Sequence, residues 1–169
     1  MQSIGFPQDK VEKVYPEAMC FEPMLIGHFP GTRGIKLEDI ENDGTYFANT
    51  KKDGVWCAYE VTDHCSYMFM RTVSTKNGLP VEKSANFPHI TSFLNKVVPA
   101  NTIIIGELYF PGKTAKDCIT VTGCLPKKAI ERQKDNPIHF YIHDMIYYNG
   151  ESLMTTGALD RYLKVADLY

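Results

Sequence analysis

A lysine, a carboxylate and a glycine stand close together in the segment 49–55, Asn-Thr-Lys-Lys-Asp-Gly-Val, between two β-prone runs. A lysine amine attacks phosphorus only when it is unprotonated, and desolvation or nearby positive charge favours that form. The rim of a rigid sheet provides such a position, so we expect Lys51 to be a nucleophile. Gly54 would let a ligand approach the main chain closely. The order Lys-Asp-Gly also makes ordinary hairpin turns, and the segment alone permits both interpretations.

Two further charged residues adjoin β-prone runs. Arg71 ends the run 66–71, where it either contacts a phosphate or lies on the surface as an ordinary arginine. Glu107 comes shortly after the apolar run 102–105. A carboxylate buried at that point needs a cation or strong hydrogen-bond donors, which favours a functional role for Glu107.

The histidines and cysteines lack the spacing of a metal site. His139 and His143 would share one face of a strand, and His64 and Cys65 lie near Cys57 in the sequence. Neither set has a recognised ligand spacing, so we expect no structural transition metal.

The pattern of apolar residues predicts the elements that must hold these side chains. Runs rich in β-branched and aromatic residues predict strands at 46–49, 55–61, 66–71, 102–110 and 138–148. Helical spacing predicts helices at 90–98, at 126–133 and from Thr155 or Thr156 onward, the last with Leu159, Leu163 and Ala166 on one face. The first forty-odd residues are rich in Pro and Gly and predict an extended segment with one short helix at most.

Composition limits the classes of protein to which the chain belongs. With 169 residues and 44% hydrophobic content, one core and one domain are expected. The formal net charge of -2 gives no general attraction to nucleic acid, so a contact with DNA requires a local patch. The five cysteines form no CxxC pair, and no stretch suits a membrane span. We therefore expect a cytoplasmic monomer that does not bind a membrane.

Several segments resemble, in the same order, the motifs of ATP-dependent DNA ligases and other covalent nucleotidyltransferases. The segment 49–55 is similar to the motif whose lysine becomes adenylylated, and 105–108, Ile-Gly-Glu-Leu, is similar to the strand that presents a glutamate to the nucleotide. The strand and turn 140–153 resemble those that ligases place beside the adenine ring. The remaining similar segments are 23–25 (Pro-Met-Leu), 69–71 (Phe-Met-Arg) with 77–78 and 87–88 after it, and 159–163.

The resemblance implies an α+β fold in which antiparallel sheets flank a nucleotide cleft, with helices outside. It implies that Lys51 attacks ATP in the presence of Mg²⁺ and carries AMP, which the full-length protein would pass to nicked DNA. Arg71 would hold phosphate or ribose, and Glu107 would orient Mg²⁺ or ribose. The residues that would bind ATP are Asn49, Thr50, Lys51, Gly54, Arg71, Glu107 and His143.

The chain also departs from the ligase pattern. Asn49 stands where ligases have a glutamate that reads adenine, although its amide oxygen could accept the same bond. Trp56 replaces an arginine, and we expect it to pack in the core. His143 replaces the stacking aromatic, and Ile105 replaces an aspartate. The later ligase motifs, Glu-Gly followed by two hydrophobic residues and Lys, and Lys-x-Lys, do not occur, so we expect residues 1–169 to be one truncated adenylation domain without an OB-fold domain.

Two other functions fit the same residues. The first is a nucleotide-binding or DNA-binding module without catalysis, which would explain the missing late motifs. The second is an RNA ligase, because short similarities do not decide between DNA and RNA as the polymer.

Overall fold

The computed structural model describes residues 36–44 and 46–168. The expected extended N-terminal segment, including Pro-Met-Leu at 23–25, lies outside these residues. The described α-helices are α1 (Leu37–Asp43), α2 (Pro88–Val97), α3 (Ala115–Thr122), α4 (Pro126–Arg132) and α5 (Ala158–Val165). Short 3-10 turns occur at Ser84–Asn86 and Ala166–Leu168. The described strands are β1 (Val55–Val61), β2 (Ser66–Val73), β3 (Pro80–Glu82), β4 (Thr102–Tyr109), β5 (His139–Tyr148) and β6 (Glu151–Ser152).

The six strands form one antiparallel sheet in the order β3-β2-β1-β4-β5-β6. The prediction of a mixed α+β fold with antiparallel pairing is confirmed. Where separate flanking sheets were expected, the described strands belong to a single sheet. The reason is that β1 pairs with β2 on one side and with β4 on the other, which joins the first hairpin to the later strands.

The main core lies between one face of this sheet and the helices. Cys57 and Tyr59 of β1 are completely buried there, and Leu108 of β4 joins them. A smaller buried cluster lies on the opposite face and includes Ala58, Ile103 and Ile105. β4 is therefore covered on both faces, which explains why its sequence is a continuous apolar run and does not alternate.

Two buried amides connect the helices to each other. The side-chain amide of Asn86 donates to the carbonyl oxygens of Val121 at 3.0 Å and Cys124 at 3.1 Å. The Gln133 amide donates to the carbonyl oxygens of Asn86 at 2.8 Å and Ala129 at 3.0 Å. These bonds fix the end of α3 relative to α4, and the end of α3 forms part of the cleft described below.

Two details of the predicted elements were wrong. Residues 46–49 form no strand, and no ladder joins them to any of the described strands. Ala166, expected on the same face of the last helix as Leu159 and Leu163, lies beyond that helix in a 3-10 turn, and the two leucines are 46% and 56% exposed. α5 instead faces the sheet with Arg161 and Val165, which lie one helical turn apart.

None of the helices in the described part of the chain has the length and apolar character needed to cross a bilayer.

Candidate functional site

A cleft of about 990 Å³ opens where β1 begins and β2 ends. Its volume is at the upper end of the range usual for small-molecule sites. The predicted residues that line the cleft are Lys51, Gly54, Arg71, Glu107 and His143. Further lining residues include Trp56, Thr72, Lys83, Thr122 and Asp144. The cleft thus brings together residues that are far apart in the sequence.

Lys51 lies in the irregular segment just before β1, and its side chain is exposed at the cleft. Its positive charge acts on Glu107, where it lowers the pKa of the carboxyl group. The amine therefore lies beside the acidic side of the cleft and has access to any ligand that enters it.

Glu107 is presented by β4 and lies directly opposite Trp56 of β1. Burial raises the pKa of Glu107 above its usual value, and the charge of Asp53 raises it further. Lys51 and a hydrogen bond from the Gly54 backbone N–H oppose this shift. A cation bound in the cleft would favour the ionised carboxylate, because its positive charge would offset the hydration that the carboxylate loses on burial.

Gly54 is required by strand packing. A Cβ atom at this position would lie 2.1 Å from the Leu108 carbonyl oxygen and 3.0 Å from Cγ of Glu107. The close neighbour of Gly54 is thus the main chain of β4, whereas we had expected a bound ligand there. The preceding residue, Asp53, accepts a hydrogen bond from the Ala115 N–H at 3.2 Å, which ties the Lys51 turn to the start of α3.

Arg71 and Lys83 add positive charge to the cleft. Arg71 lies on β2, and Lys83 follows β3 with its backbone N–H donating to the Met68 carbonyl oxygen at 2.8 Å. Among the described residues, neither these two side chains nor Lys51 forms an ion pair. Sequence reasoning missed Lys83, because an isolated lysine after a short strand gives no signal that distinguishes it from a surface residue.

His143 occupies an irregular position on β5. Ile105 lies opposite Asp144 and Gly106 lies opposite Ile142, so His143 forms a β-bulge between them. Burial lowers the pKa of His143, although the charge of Asp144 raises it. The neutral imidazole is therefore favoured.

Asn49 and Thr50 do not line the cleft. The side-chain oxygen of Asn49 accepts hydrogen bonds from the Thr50 N–H at 2.7 Å and from the Tyr141 hydroxyl at 2.5 Å. An amide oxygen has two lone pairs, and both are engaged. Asn49 would have to release one of these bonds to read a base.

Trp56 was expected in the core, but it is only partly buried and lines the cleft. Its ring packs against the smaller apolar cluster on the cleft side of the sheet. The indole Nε1 is buried and has no acceptor among the described residues. The cleft therefore has an aromatic side chain at the position where the ligase motif has an arginine.

No family model and no curated protein matches this chain. The function of the cleft has to be inferred from its own residues.

The cleft suits Mg²⁺ only together with a ligand. Among the described residues, no group of three or more His, Cys, Asp or Glu is placed to hold a metal ion. Mg²⁺ is usually held through one or two carboxylates, with phosphate oxygens and waters completing its octahedron. Glu107 can supply such a carboxylate, so these residues fit a metal that enters with a phosphorylated ligand.

Proposed function

We propose that this chain is an adenylation domain, or part of one, of an ATP-dependent DNA ligase. The observation that carries the proposal is the shared cleft of Lys51, Arg71, Glu107 and His143. These residues come from four separate segments, and the ligase resemblance assigns each of them to the nucleotide site. Lys83 adds a further cation without an ion-pair partner among the described residues.

The proposed reaction transfers AMP to Lys51. The unprotonated amine attacks the α-phosphorus of ATP in line, a P–N bond forms, and the bond to the bridging oxygen breaks. Pyrophosphate leaves with the electron pair of that bond, and the nitrogen loses its proton to solvent through the open cleft. Mg²⁺, held by Glu107 and the phosphates, would neutralise charge on the triphosphate when bound.

The other side chains have binding roles in this proposal. Arg71 and Lys83 attract the phosphates, and Arg71 can form two parallel bonds to phosphate oxygens. His143 and Trp56 offer flat surfaces for the adenine base. In the full-length protein, AMP would then pass to the 5′-phosphate of nicked DNA, and the 3′-hydroxyl would displace it.

A second candidate is a nucleotide-binding module without catalysis. Trp56 favours it, because this side chain lines the cleft and stands where the ligase pattern has an arginine. A third candidate, an RNA ligase, differs only in the polymer, and sealing assays on nicked DNA and RNA duplexes with the full-length protein would distinguish the two.

The deciding experiment uses ATP labelled at the α-phosphate. With Mg²⁺, the wild-type protein is expected to carry label through denaturation, whereas Lys51→Ala carries none. Lys52→Ala is the matched control, because the Lys52 ammonium lies over the rings of Tyr109 at 5.0 Å and Tyr141 at 5.2 Å and does not line the cleft.

Label that persists in Lys51→Ala would rule out Lys51 as the nucleophile. ATP binding in calorimetry without any covalent label in the wild-type protein would favour the non-catalytic module.

A further inference from the structure

The β-bulge at His143 needs support from outside the sheet. In a regular antiparallel pair, each residue has a partner on the neighbouring strand, and the ladder fixes its direction. A bulged residue lacks this constraint, and bulges next to functional sites commonly redirect one side chain. Here the redirected side chain lines the cleft. Its direction therefore depends on what holds the adjoining residue, Asp144.

Arg161 of α5 holds Asp144 in a two-pronged ion pair. Nε of Arg161 lies 2.7 Å from Oδ1 of Asp144, and Nη2 lies 3.0 Å from Oδ2. The side chains are only 15% and 18% exposed, so water competes weakly for these bonds. Nη1 of Arg161 also donates to the Thr156 carbonyl oxygen at 2.6 Å. The guanidinium is thus fixed at both ends, and its planar geometry orients the carboxylate.

We infer that the Asp144–Arg161 pair positions the His143 imidazole in the cleft, with Arg161 acting from a helix that does not line it. Arg161 is a positioning residue, because it reaches the cleft only through Asp144. The inference rests on the proposed function for the identity of the ligand, an adenine nucleotide whose base meets His143. The position of His143 in the free protein is independent of that identity.

The first test measures the His143 ring in the free protein by NMR, with the resonance assigned by its loss in His143→Ala. Arg161→Gln is expected to shift this resonance, and Arg161→Lys, which keeps the charge but loses the fork, to shift it less. Lys164→Gln is the control on the same helix, because it removes the exposed Lys164–Asp167 pair at 2.8 Å. An unchanged His143 resonance in Arg161→Gln would overturn the inference.

The second test is a double-mutant cycle on ATP binding. Arg161→Gln is expected to weaken binding about tenfold, as when an orienting partner is removed from a ligating histidine. In a His143→Ala background, the same substitution should have little further effect. Equal losses in both backgrounds would show a general structural role and contradict positioning of His143. Arg161→Lys should recover part of the affinity, and it serves as the test variant if Arg161→Gln does not fold.

The two tests separate the inference from the proposed function. A wild-type protein that binds no ATP would contradict the proposed function, and the NMR comparison would still decide the role of Arg161. ATP binding with an unchanged His143 resonance in Arg161→Gln would leave the proposed function intact and remove only the inference.

Discussion

Glu60 places an ionisable carboxyl group at the centre of the sheet. The residue is 2% exposed, and its Oε1 atom has no hydrogen-bond partner among the described residues. It lies on β1 directly opposite Tyr67 and Ile103. Burial raises the pKa of Glu60 to about 7, since the charged form loses its hydration there.

This burial predicts a dependence of stability on pH. The folded-state pKa is raised above the unfolded value, so the protonated acid is favoured by folding, and this contribution is lost as pH rises toward about 7. For this group alone, the free energy of unfolding should fall by about 3 kcal/mol between pH 4.5 and pH 8. Urea unfolding of Glu60→Gln should lack this part of the decline.

Glu131→Gln, which changes an exposed acid on α4, is the control and should retain the wild-type slope. An equal slope in Glu60→Gln and wild type would contradict the burial argument.

Some residues of the cleft can be identified from the sequence, and others cannot. Lys51 and Glu107 were identified because their types and neighbours predict chemistry, and both line the cleft. Lys83 was not, because its place in the cleft depends on the pairing of β3 with β2. The steric requirement for glycine at position 54 could not be predicted either, because it depends on the Leu108 carbonyl oxygen of the neighbouring strand.

The main chains of β4 and the start of β1 approach each other closely at Gly54. Replacing Gly54 with Ala would put a methyl group 2.1 Å from the Leu108 carbonyl oxygen, so the two strands must separate. We expect a loss of about 2–3 kcal/mol in the free energy of unfolding, in the range of overpacked sites. Covalent labelling by ATP should also fall, because Lys51 moves with the start of β1.

Gly157→Ala is the matched control for this substitution. Its nearest new contact is the movable Asp160 carboxylate at 3.3 Å, so thermal unfolding should change little. A Gly54→Ala protein as stable as Gly157→Ala would contradict the close approach of β1 and β4.

The predicted elements are correct where residue types and local pattern indicate the same element, and they are wrong where the two disagree. β1 and α4 follow from β-branched content and from a proline in the first helical turn. α3 was missed because it is rich in β-branched residues, which suggest a strand, although the capping pair Thr114 and Asp117 marks its start. The bulges in β5 were not predicted, although the alternation of its residues breaks there, at the polar pair His143 and Asp144 and at the apolar pair Met145 and Ile146.

At the scale of the whole molecule, three cationic side chains line one cleft, and none of them has an ion-pair partner among the described residues. They are Lys51, Arg71 and Lys83. ATP has two more phosphate groups than AMP, so Lys83 should contribute more to the binding of ATP than to the binding of AMP. Lys83→Ala is expected to weaken ATP binding on the order of tenfold, equivalent to one bond to a charged group, and to leave AMP binding nearly unchanged. Added salt should reduce the difference, since it screens exposed charges.

Lys76→Ala is the control for Lys83, because Lys76 is an exposed lysine of the preceding loop and does not line the cleft. Calorimetry that finds equal losses for ATP and AMP in Lys83→Ala would show that this lysine does not contact the outer phosphates.

The outermost strands of the sheet are short, with three residues in β3 and two in β6. Pro80, the first residue of β3, lacks the backbone N–H that an added strand would need. Such edges offer few unpaired main-chain groups as a template for fibril growth or strand exchange between molecules. β3 and β6 themselves are therefore poor templates for edge-to-edge aggregation.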